Sequence, residues 1–86
     1  MEDNRDCMCG LDGNKVREAI LQTWDNIAGD VADLGPVTTE IAVEMTIDAD
    51  RLEMYASDKE VVAAFRKCDS DNQFAFATKI FENYGF

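Results

Sequence analysis

Three thiols, Cys7, Cys9 and Cys68, and eighteen carboxylates are the groups in this sequence best suited to hold a metal or attack a substrate. Their spacing argues against both. Zinc sites pair cysteines two to four residues apart, with a second pair or histidines elsewhere. Cys7-Met8-Cys9 leaves one residue between, and there is no histidine. Cys68 offers a third thiolate and an Asp a fourth ligand, but the plainer reading is two thiols in a tail and one buried cysteine. A thioredoxin-like site would want two residues between its cysteines. In "DSDNQF", Asp69, Asp71 and Gln73 occupy the first, third and fifth places of a calcium loop. Phe74 then stands where Gly is required and Ile80 where Glu is required, so the segment reads as a helix-breaking turn. Without histidine the commonest general base is missing, and a domain this small has little room for a cleft in which two carboxylates could share acid and base roles. The chain is expected to be non-enzymatic, with no metal and no cofactor.

The charge is more informative. Eighteen acids against eight bases give −10 over 86 residues. From Asp25 to Asp58 nine acids meet one base, Arg51, for −8; the remainder holds nine acids and seven bases, for −2. Duplex binding depends on Lys and Arg neutralising phosphates, so direct nucleic-acid binding is disfavoured, as is an anionic membrane. A cationic protein surface is favoured, and the field would speed its approach. The residues expected to make that contact are Asp25, Asp30, Asp33, Glu40, Glu44, Asp48, Asp50 and Glu53. In the sharper form of this reading, spaced carboxylates stand in for the phosphates of a nucleic acid and occupy a basic site meant for it. In size and acidity the chain resembles small phage-encoded inhibitors of restriction or CRISPR machinery, a likeness of composition that no motif carries. The plainer alternative is that the charge keeps a small protein soluble.

These carboxylates need elements to position them. Residues 1–11 read as a tail and 12–86 as one domain, since a chain of this length supports a single core. A helix is expected from about Lys15 to Leu34, where Val16, Ile20, Trp24, Ile27, Val31 and Leu34 recur at three- and four-residue steps. Asp12 or Asn14 can cap its start, and Gly35-Pro36 ends it. Gly29 marks a close backbone contact or a bend. "VTTEIAVEMTID" (37–48) then alternates: Val37, Thr39, Ile41, Val43, Met45 and Ile47 share one parity, which predicts a strand. A turn at Ala49-Asp50 leads to a second strand over 51–56, in a register that sets Met45 beside Met54. Ser57 and Glu60 have capping-box spacing for a helix with Val61, Ala64, Phe65 and Cys68 on its buried side. For 73–84 strand and helix patterns compete, and the aromatic content favours a strand.

The expected fold is therefore α+β: a three-stranded antiparallel sheet with two helices on one face, in the order helix-strand-strand-helix-strand. The open face would carry Glu40, Glu44 and Glu53, with the first two about 13 Å apart along the strand, a row and not a metal cluster. The acidic start and the lack of a long apolar run suggest a cytoplasmic protein with reduced thiols. Two other functions fit. One is an assembly subunit or homodimer that uses the edge of the second strand, or Tyr84 and Phe86. The other is a thiol-metal protein.

Overall fold

A computed structural model of the chain describes residues 10–84. Those residues form five helices and no strand: α1 (Gly13–Asp33), α2 (Thr39–Thr46), α3 (Ala49–Tyr55), α4 (Lys59–Arg66) and α5 (Ser70–Glu82). The α+β expectation is thus overturned. The strand expected over 37–48 is α2, the strand over 51–56 is α3, and the disputed C-terminal segment is α5. The proposed hairpin turn at Ala49-Asp50 is the first turn of α3. The first helix lies close to where its apolar stripe put it, but Leu34 is not on the buried face; it is 80% exposed.

The reason is local. Four of the five helix starts are capped by a side-chain oxygen that accepts from the free N–H groups of the first turn. Asp12 accepts from Asn14 (2.9 Å), Thr38 from Ile41 (3.2 Å), and Asp48 from Asp50 (2.9 Å). Asp58 accepts from both Glu60 and Val61 at 3.1 Å. Asp58 therefore does the work assigned to Ser57, which binds elsewhere. Gly35, at φ +139°, closes α1 in a conformation that L side chains rarely adopt.

Within α2 a second period is hidden beneath the alternation. Thr39, Ala42, Val43 and Thr46 stand at i, i+3, i+4 and i+7, and the last three are buried. Thr46 can be buried because its hydroxyl donates back to the Ala42 carbonyl (2.8 Å) and to the Val43 carbonyl (3.3 Å). Thr23 repeats the device in α1, donating to the Ala19 carbonyl at 2.9 Å. Both threonines thus enter the core with no unmet hydrogen bond.

The core runs along α1, from Val16 through Ile20, Trp24 and Ile27 to Val31. α3 contributes Leu52, α4 Val61, Val62 and Phe65, and α5 Ala77 and Phe81. Phe81 is fully buried and meets Trp24 edge to face, with ring centroids 5.6 Å apart. α2 packs mainly on α5, and α3 and α4 pack on α1 and on each other. Leu11 lies partly buried against this core. Polar ties hold the corners. Gln22 of α1 accepts from the Ser57 N–H (3.0 Å) and hydroxyl (3.1 Å), and Gln73 of α5 donates to the Phe65 carbonyl (2.7 Å).

Two stability measurements follow. A Cβ added at Gly29 meets nothing within 4 Å, so no close contact explains this glycine. Gly29→Ala should raise the unfolding temperature by about 4–8 °C, from up to ~1 kcal/mol of helix propensity, in thermal circular dichroism. Phe81→Ala should cost about 3–5 kcal/mol in denaturant titration, because the vacated space lies between α1 and α5. An effect below 1 kcal/mol would place Phe81 outside the core.

Candidate functional site

Three elements carry the eight carboxylates expected to make contact, and the structure treats them differently. Asp48, Asp50 and Glu53 belong to α3, and all three have partners. Asp48 caps the helix and faces Arg51 at 3.5 Å. Glu53 receives a hydrogen bond from the Arg66 guanidinium at 2.5 Å, and Asp50 lies 4.0 Å from the same group. Arg66 also donates to the Ala49 carbonyl at 3.2 Å, and Lys59 donates to the Glu53 carbonyl. These contacts pin α4 across α3, so the α3 carboxylates serve the fold.

The other five have no ion-pair partner among the described residues. Asp25, Asp30 and Asp33 are exposed on α1, and Glu40 and Glu44 are exposed on α2. No Lys or Arg occurs between Arg17 and Arg51. Asp30 and Asp33 are i, i+3 neighbours in the last turn of α1; Glu40 and Glu44 are i, i+4 neighbours on α2. On a helix such pairs sit about 5–6 Å apart at Cβ, so Glu40 and Glu44 form a close pair and not the spaced strand row expected. The five residues 34–38 join the two helices, so Asp33 and Thr39 lie within roughly 20 Å along the chain.

This placement is unfavourable for the chain itself. Like charges at i, i+3 or i, i+4 cost about 0.2–0.5 kcal/mol per pair. Asp30 and Asp33 also stand at the negative end of the α1 macrodipole, with no base in that turn to compensate. Glu40 is the exception, since the first turn of α2 favours an acid.

Beside Glu40 and Glu44 lies a concavity of about 330 Å³ between α2 and α5, lined also by Thr39, Val43, Phe74 and Thr78. Phe74 is 44% exposed there. Sequence reasoning missed this groove, because it had placed 37–48 on a sheet and Phe74 on a strand. The signal was the helical spacing of Glu40 with Glu44 and of Phe74 with Thr78. A second concavity of about 280 Å³, where α1 begins and α5 ends, is lined by Arg17, Lys79, Asn14, Phe76 and others. It gathers positive charge at the start of the helix whose far end carries Asp30 and Asp33.

The other candidates fare as follows. Cys7, Cys9 and Phe86 lie outside the described residues. Cys68 is half-buried, and no group of three His, Cys, Asp or Glu able to hold a metal occurs among the described residues. Asp69, Asp71 and Gln73 form the start of α5, with Gln73 tied to α4, and do not surround a cation site. There is no strand edge among the described residues to serve assembly. Tyr84 is 48% exposed and packs edge-on against Phe81, with ring centroids 5.9 Å apart. No described helix is long and apolar enough to cross a membrane.

The dipole argument is testable on the isolated protein. Asp33→Lys should stabilise the chain by about 0.3–1 kcal/mol, since it relieves the clash with Asp30 and with the helix end. Arg66→Ala should cost no more than about 1 kcal/mol, because the ion pairs it removes are exposed. Denaturant titration measures both, and a destabilising Asp33→Lys would sink the charge account of the α1 terminus.

Comparison with known proteins finds no family model, no curated relative and no solved structure that matches the chain.

Proposed function

We propose that the protein acts by binding, through Asp25, Asp30, Asp33, Glu40 and Glu44, to a basic surface of another protein, and that the surface is a nucleic-acid-binding site which it occupies in place of the nucleic acid. One observation carries this reading. Five exposed carboxylates, four of them in like-charge neighbour pairs, have no partner among the described residues on a stretch without a base. Within the isolated chain the arrangement costs stability, and a cationic partner would turn the cost into attraction. Asp48, Asp50 and Glu53 leave the proposed contact set, because each already has an arginine of the chain within 4.0 Å. Leu34, 80% exposed directly after Asp33, supplies an apolar contact within the acidic stretch.

A second reading, self-assembly, draws on the exposed Leu34 and Met54 (68%). Two copies each carrying −10 repel, so assembly of this kind would strengthen as salt rises. Hetero-binding through carboxylates would weaken.

Salt therefore separates the two. The immobilised chain should retain a basic protein from its source cells at about 0.1 M salt and release it well before 1 M, as the screening length falls from ~10 Å to ~3 Å. Added duplex or single-stranded nucleic acid should displace the same protein. Joint replacement of Asp25, Asp30, Asp33, Glu40 and Glu44 by Lys should abolish retention with the fold intact by circular dichroism. Retention that is indifferent to salt, or undiminished in the five-site variant, would refute the proposal.

A further inference from the structure

We propose that the groove between α2 and α5 is an arginine pocket, which receives one guanidinium side chain from the partner protein. The inference rests on the binding reading above and narrows it to one side-chain chemistry at one place. Three features of the groove converge. Glu40 and Glu44 stand one turn apart on its rim, both exposed and neither ion-paired among the described residues. Phe74, 44% exposed, presents an aromatic ring from α5 at the side opposite the two glutamates, and Val43 is buried beneath the groove. The volume of about 330 Å³ equals that of roughly ten waters, ample for the seven heavy atoms of an arginine side chain.

Arginine answers each feature. Its planar head carries five donors and can bridge two carboxylates whose Cβ atoms stand about 6 Å apart, whereas a lysine ammonium is a compact, strongly hydrated point charge. Its three methylenes can lie along the exposed face of Phe74, and guanidinium stacks on an aromatic ring more readily than ammonium does. Thr39 and Thr78 add hydroxyl acceptors for the remaining donors. A wholly apolar occupant would bury two carboxylates without partners, which is costly. An anionic occupant would be repelled by both.

The test needs no partner. Amide resonances of the ¹⁵N-labelled chain are followed while N-acetyl-arginine amide is added, and separately N-acetyl-lysine amide, at about 0.15 M salt, where the screening length is ~8 Å. Arginine amide should shift Thr39, Glu40, Val43, Glu44, Phe74 and Thr78 together, and bind several-fold more tightly than lysine amide. Glu40→Gln with Glu44→Gln should lower that affinity at least tenfold. Phe74→Leu, which keeps the apolar bulk and removes the ring, should lower it roughly three- to fivefold. Glu60→Gln with Glu82→Gln should change it by no more than about twofold, since both are exposed and lie outside the groove and the proposed contact set. Equal shifts at all the exposed acids, equal affinity for the lysine probe, or an unchanged Phe74→Leu variant would overturn the pocket. Those results leave salt-sensitive protein capture standing, while failed capture with an arginine-selective groove would overturn the broader function alone.

Discussion

Helices of seven or eight residues are not stable by themselves in water, because nucleation costs more than two turns of hydrogen bonds return. α2, α3 and α4 are all of that length, so each depends on burying an apolar face against α1 or α5. The two longer helices meet where Trp24 stands edge-on to Phe81. That contact joins the two longer helices, and α2 packs on both of them, mainly on α5. The polar ties from Gln22, Arg66 and Gln73 then fix the angles between helices whose few apolar residues would leave them loosely specified.

The acids divide by employment within this frame. Asp12, Asp48 and Asp58 start helices, and Asp50 and Glu53 hold Arg66 against α3. Glu40, Glu60 and Asp71 suit the first turns of their helices, whereas Asp25, Asp30, Asp33 and Glu44 have neither an ion-pair partner among the described residues nor a helix start to favour them. Proteins commonly retain destabilising surface arrangements where function requires them. The contrast between employed and unemployed carboxylates gives the acidic surface a meaning that net charge alone does not.

How much of this the sequence disclosed depends on element length. α1 spans 21 residues, and its stripe repeats often enough to admit one period only. α2 offers two turns, over which Thr39, Ala42, Val43 and Thr46 fit a helix while Thr39, Ile41, Val43, Met45 and Ile47 fit a strand. The choice turned on Thr46, which looks polar and solvent-facing in sequence but is buried with its hydroxyl satisfied inside its own helix. Thr38, Asp48, Asp58 and Asp69 punctuate the chain at ten- and eleven-residue intervals. The three aspartates suit turns as well as the starts of short helices, Thr38 suits a strand as well as a helix start, and packing on α1 and α5 decided between them. The eight candidate carboxylates were visible as a group, but the loss of three to Arg51 and Arg66 depends on how α4 docks on α3, which no local pattern encodes.

The positive concavity at the start of α1 has a consequence of its own. Arg17 and Lys79 lie at one end of a helix about 30 Å long, and Asp30 and Asp33 lie at the other. The peptide dipoles of α1 point the same way as this separation of side-chain charge, so the two add. Along α1 the separation of charge is therefore steeper than its side chains alone would make it. A distant cation-rich surface would exert a torque on this helix before contact, one that favours its far end foremost.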